Sequence, residues 1–502
     1  MISHDVRVFP STHTPAMEDQ LAWKLASLSA DRVPLDADVK DMVINRILDN
    51  MGVAMAALDR KPVRVARTQA LAFPKANGSV IFGLPSEQKF NCNWAGWANA
   101  VAVRELDFHD SFFGREFSHP ADCISPIIAV AQQMGCSGAD LLNGIATSYE
   151  IQVNLAKGMP LNSHSIDHVG HLAPAVTGGI GAMLHLDTEV IYQAIQQAVH
   201  NGFSTRQSRR GMLSSWKAYA CAHAGKIAME AIDRAMRGET SPSPIYEGEV
   251  SVIASMLDGP DAHYVIHLPA PGEPKRAIME TFTKEHSAAY HGQAMIDLAF
   301  KIRDRLPDPT QIEEVVLKTK HFTHRVTGSG ANDPQKMDPN ATRETLDHSV
   351  MFMFAIALED GTWHHNHSYD KARISQPDTV ALWQKVRTEE DPEWNRRYEE
   401  APTYLERAHG GEAVIRMKDG SVIRDEILVA NAHPAGLRPF ARNNYIDKFN
   451  TLSEAVVDAA ERQRFVELCA GLDQADAAAV AELNVVAAAE LFADDHKVRG
   501  IF

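Results

Sequence analysis

Residues 107–122 hold three aspartates, two histidines and two serines: Asp107, His109, Asp110, Ser111, Ser118, His119 and Asp122. Carboxylates and imidazoles are the side chains that move protons near neutral pH. Hydroxyls beside them can hold polar substrate groups. Apolar stretches flank the segment, residues 93–103 before it and 124–131 after it. Polar groups held between two buried segments mark the wall of a cleft. The plainer alternative is an acidic helix end followed by the N-cap of the next helix.

Other protonatable side chains lie in apolar or small-residue surroundings: His168, Lys217 and His291. Lys217 has no Asp or Glu within six positions on either side. A buried ammonium needs a partner or a task. With His119, such a set suits a small polyanionic ligand. Histidine is abundant, and His164, His168 and His171, then His364, His365 and His367, have spacings open to metal ligation. No H-E-x-x-H motif accompanies them, and none of the five cysteines (92, 123, 136, 221 and 469) forms a C-x-x-C pair. Zinc-ribbon and iron–sulfur spacings are therefore absent, and no metal or other cofactor is expected.

The elements that must position these groups follow from periodicity. Helices are predicted over residues 14–34, 35–58, 63–71, 139–157, 164–186, 188–200 and 216–236. Ser137 and Asp140 form a capping box for the fourth. Residues 178–181 (Gly-Gly-Ile-Gly) fit neither nucleotide-loop pattern and are read as a close helix–helix approach. A short β-like piece is expected over 79–83. Composition shifts near 269–274 (Pro-Ala-Pro-Gly-Glu-Pro), a linker by residue type. Beyond it come β-like pieces at 277–282, 312–318, 413–417 and 422–429, the last two flanking a Lys-Asp-Gly-Ser hairpin. Helices are expected at 291–306 and 346–358, and helical texture returns over 452–472 and 475–492. The fold class is therefore mainly α, with an α+β portion between helical ends.

A chain of 502 residues exceeds one core. The net charge of −16 disfavours a nucleic-acid binder. No apolar run approaches a membrane span, and the N-terminus has no signal-peptide core. A cytoplasmic protein with no membrane or nucleic-acid partner is the expectation.

Five motifs in order resemble the MmgE/PrpD family, nearest its branch that dehydrates 2-methylcitrate. They are residues 106–111 (Leu-Asp-Phe-His-Asp-Ser) with 118–120 (Ser-His-Pro), 167–169 (Asp-His-Val), 215–217 (Ser-Trp-Lys), 290–293 (Tyr-His-Gly-Gln) and 347–349 (Asp-His-Ser). The resemblance covers the chain from about residue 35 onward. It implies a large all-helical domain built from both chain ends (1–271 and 446–502) and a smaller inserted α+β lid (272–445). It also implies a homodimer without metal or iron–sulfur centre. By position it points to Asp107, His119, His168, Lys217 and His291 as catalytic residues. Ser111, Arg209, Arg210 and Phe352 are then assigned to substrate binding. The chain departs from the family's usual residues at His109, Val169, Ala218 and Phe352. The departure at Phe352 places a ring where relatives often carry a tyrosine, and is expected to accommodate a substrate methyl group.

The implied reaction is elimination of water from 2-methylcitrate to 2-methyl-cis-aconitate in propionate breakdown, with side activity on citrate. The residue types suit it. A weakly acidic α-proton must leave, so the developing enolate needs positive charge and the hydroxyl needs a proton. Lys217 and the histidines can supply these, with Asp107 as base or as the residue that orients one. Which group is base and which is acid stays open at this point. Three alternatives also stand: a cis-aconitate decarboxylase-like enzyme of the same family, a metal-dependent lyase or hydrolase, and a non-catalytic helical interaction protein.

Overall fold

Ser137 begins a 21-residue helix as its sequence requires. Its hydroxyl accepts from Asp140 N at 3.2 Å, the Asp140 carboxylate accepts from Ser137 N at 3.3 Å, and the helix Gly138–Gly158 follows. The computed structural model describes residues 1–209, 214–306 and 308–502. It divides into two compact units. The first comprises Met1–Glu105, His109–Thr281 and Arg442–Phe502; the second comprises Leu106–Phe108 and Phe282–Ala441. The chain is mainly helical.

In the first unit, helices Ala37–Ala57, Cys92–Glu105, Gly138–Gly158, Leu172–Met183, Thr188–Gly202 and Trp216–Met236 surround the segment singled out above. The small-residue stretch does serve close approach. A Cβ on Gly179 would meet Gly144 O at 2.6 Å, and one on Gly144 would meet Gly179 O at 2.8 Å, so these two backbones touch. The helix Arg442–Ser453, from the C-terminal part of the chain, packs on Ala37–Ala57.

Several elements differ from expectation. The first helix spans Leu21–Ala30, not 14–34. Residues 2–7 form an unexpected strand, Ile2–Arg7, antiparallel to His263–Leu268. The predicted helix over 164–186 begins at Leu172, because Asp167 N donates to Ser204 O at 2.9 Å and turns the chain. His164 and His168 thus do not share a helix face. The β-like piece at 79–83 finds its partner at the far end of the sequence: Gly83 N donates to Val485 O at 3.0 Å. That pairing replaces most of the helix expected over 475–492, of which Ala477–Ala481 remains. Ala277–Glu280 is a 3-10 turn and not a strand, since Ala277 N is taken up by the Glu150 carboxylate at 2.8 Å.

The second unit is built on one four-stranded sheet, ordered Val386–Glu390, Ile312–Thr319, Gly411–Met417, Val422–Ile427. The first pair is parallel and the others antiparallel. Gly411–Met417 alternates buried and less buried residues, as a strand with one covered face should. Val386–Glu390 was missed because its sequence, Val-Arg-Thr-Glu-Glu, carries little apolar signal on an edge strand. Helices Tyr290–Arg303 and Val350–Asp360 pack together in the core of this unit. Among the described residues no helix is long and apolar enough to cross a membrane.

Candidate active site

The backbone between Glu105 and His109 passes from the first unit to the second and back. Asp107 sits within that excursion at φ +50°, a left-handed conformation costly for a non-glycine residue. Strain of this kind persists where surrounding contacts hold it. Here Lys284, fully buried, donates to Asp107 O at 2.6 Å and to its Oδ1 at 2.7 Å. Both partners belong to the second unit.

In the first unit three imidazoles form one cluster. His109 stacks on His119 with centroids 5.2 Å apart and planes 28° from parallel. His119 meets His168 edge to face at 5.5 Å. Two of the rings, His109 and His119, are oriented by hydrogen bonds. His109 Nε2 donates to Asp122 Oδ1 at 2.8 Å. His119 Nδ1 lies 2.8 Å from Asp110 O and 3.2 Å from Ser111 Oγ. A carbonyl can accept alone, so Nδ1 carries the proton and the lone pair of the neutral ring lies on Nε2. His168 Nδ1 is 3.2 Å from Asp167 Oδ1. Burial, partly offset by Asp167, takes the His168 pKa down to about 3, so this ring is neutral.

Three buried carboxylates stand around the rings, and each faces an arginine. Arg46 Nε is 3.7 Å from Asp110, Arg104 Nε 4.0 Å from Asp122, and Arg209 Nε 3.0 Å from Asp167. Burial alone would raise the Asp122 carboxyl, but His109 and then Arg104 outweigh it and hold it below the usual carboxylate range. Asp167 is held down in the same way by Arg209, His168 and Ser208 against its burial. Tyr149 donates its hydroxyl to Asp110 at 2.8 Å.

The expected site residues therefore fall into groups. Ser111, His119 and His168 come together in the first unit. Arg209 is committed to Asp167 and to the carbonyl of Lys217, at 3.3 Å, so it braces the cluster. Lys217, 8% exposed, opens the helix Trp216–Met236 beside that contact. Arg210 lies outside the described residues. In the second unit, Asp107 is 3.5 Å from His348 Nε2, and His291 Nδ1 is 3.3 Å from Thr323 Oγ1. Burial first, then Lys320, His348 and Lys284, hold the His291 pKa well below its ordinary value. Phe352 has no exposed surface and packs among Trp363, Tyr369 and Trp383. Its place is in the apolar helix Val350–Asp360.

Sequence reasoning missed Arg46, Arg104, Lys284 and the buried Lys320, whose ammonium is 3.0 Å from His409 Nδ1. Nothing local marks them, because their partners are remote in the chain. Asp107, Asp347 and His348 bring ligand-type atoms within 4.8 Å of one another. Lys284 and Arg343 pair with those carboxylates.

This arrangement of a helical unit carrying stacked imidazoles with a smaller mixed unit fits what comparison with known proteins shows. The chain belongs to the MmgE/PrpD family: residues 19–265 match the MmgE/PrpD N-terminal domain and residues 286–474 the MmgE/PrpD C-terminal domain. Among its relatives is 2-methylcitrate dehydratase from Escherichia coli O157:H7, 24% identical over 86% of this chain and 88% of that protein. The mitochondrial 2-methylcitrate dehydratase of Yarrowia lipolytica is 27% identical over 67% of this chain and 64% of its own length. Alkylcitrate dehydratase phiI of a fungal species is 23% identical over 78% of each chain.

Proposed function

We propose that this protein is a hydro-lyase that eliminates water from 2-methylcitrate to give 2-methyl-cis-aconitate, with citrate as a poorer substrate. The observation that carries the reading is the cluster of His109, His119 and His168 among arginine-matched carboxylates, in a chain whose relatives are named dehydratases. His119 is assigned as base, since its Nδ1 is tied to Asp110 O and the lone pair of its neutral ring lies on Nε2. It takes the proton α to a substrate carboxylate. The C–H electrons form the double bond, and the β-hydroxyl leaves as water after receiving one proton. Lys217 is assigned to the negative charge that develops on the enolate. His168, neutral, offers a hydrogen bond without adding charge. Asp107 and His291 keep the catalytic assignment that the family resemblance gives them.

The reading includes a homodimer and a reaction that needs no metal. The test is a panel of 2-methylcitrate, citrate and cis-aconitate, followed by ultraviolet absorbance of conjugated acids and by release of carbon dioxide. Dehydration of 2-methylcitrate that survives chelation is the expected result, with kcat falling by roughly 10²–10⁴ in His119→Asn. Carbon dioxide release from cis-aconitate without dehydration would instead favour the decarboxylase alternative. One metal per chain and turnover abolished by chelation would establish a metal lyase and refute the assignment.

A further inference from the structure

His109 belongs to the imidazole cluster but takes no part in the proton transfers assigned above. It is fully buried and held at both ends of its surroundings: Nε2 on Asp122 Oδ1 at 2.8 Å, its face on His119 at 5.2 Å. Asp110, Asp122 and Asp167 each face one arginine, and burial keeps Tyr149 and Cys221 protonated. Burial also raises the Asp110 carboxyl above its ordinary range, against the pull of Arg46 and then His109. His168 is neutral. Glu116, whose carboxyl is near Asp167, is pushed by burial up to about 7. A proton on one stacked ring raises the cost of a proton on the other.

We infer that His109 is a positioning residue for His119, fixing its ring by stacking against the Asp122 anchor and competing with it for a proton. This rests on the reading of His119 as the base. A proton held by the His109–Asp122 pair is one that His119 does not hold. The coupling needs no hydrogen bond between the two rings, only the stacked contact.

The experiment is a pH titration of the full chain labelled with nitrogen-15 in histidine, with His119 assigned by comparison with His119→Asn. It is repeated in Glu116→Gln, which removes a second titrating group. In the parent, the His109 and His119 signals should each move in two steps, at shared midpoints, as a coupled pair does. His109→Phe keeps a stacked ring without a proton, and His109→Gln keeps a donor near Nε2 for Asp122 without the ring. In both, His119 should titrate in one step, at a midpoint higher by about one pH unit, a tenfold change in its protonation ratio. The acid limb of kcat/KM should move by the same amount. Single, independent steps in the parent overturn the inference even if neither variant folds. So does an unmoved His119 midpoint in folded His109→Phe, which would reduce His109 to packing. Absence of turnover in the parent would refute the hydro-lyase reading and leave the nitrogen-15 result to decide the coupling by itself.

Discussion

Replacing Glu116 with glutamine should remove a stability loss that grows with pH. Glu116 is 3% exposed and accepts hydrogen bonds from Leu161 N and, at 3.0 Å, from Asn162 N. Burial pushes its carboxyl from 4.5 up to about 7, more than these two N–H groups and Arg206 can offset. A carboxyl whose folded pKa is raised binds its proton more tightly in the folded state. Its contribution to stability is therefore complete below about 4.5 and is lost as pH rises through about 7. Between about pH 5 and pH 8 the loss amounts to roughly 2.5 kcal/mol. Glutamine has no proton to lose, and its carbonyl can accept the same two N–H groups. Urea unfolding of the parent and Glu116→Gln across this range should give curves that nearly coincide at the acid end and separate by about that amount at the alkaline end. Parallel curves would mean that Glu116 ionises in the ordinary carboxyl range, paired with Arg206, and would refute the burial argument.

Lys217→Met should lower kcat by roughly 10²–10³ with the circular dichroism spectrum unchanged, and parental kcat in a folded variant would remove Lys217 from the reaction. Lys284→Met strands the Asp107 carboxylate in the core of the second unit and should cost about 3–5 kcal/mol in chemical denaturation; a loss under about 1 kcal/mol would show that Asp107 finds another partner. Gly179→Ala forces a methyl within 2.6 Å of Gly144 O, so two helices must separate, at about 1–3 kcal/mol; unchanged stability would refute the close-approach reading.

The sequence alone was enough for whatever depends on near neighbours. Helical periodicity located Ala37–Ala57 and Trp216–Met236 closely, because an amphipathic helix writes its buried face every three or four residues. The capping box at Ser137 was legible for the same reason: both hydrogen bonds close within four residues. The motif containing His119 was visible as a concentration of proton-carrying side chains, and the family resemblance pointed to His168, whose ring meets His119, and to Lys217. What tertiary structure decided are the pairings between remote residues. The matches of Arg46 with Asp110, Arg104 with Asp122 and Lys284 with Asp107 leave no local trace, since each partner alone is an ordinary charged residue. The pairing of residue 83 with residue 485 overrode a helical pattern near the end of the chain, because a buried N–H must find an acceptor wherever the fold supplies one. Phe352 shows the same division. Its packing against Trp363, Tyr369 and Trp383 is not legible from its neighbours in the chain. Burial is a property of all the neighbours together, and a chain read one residue at a time does not contain it.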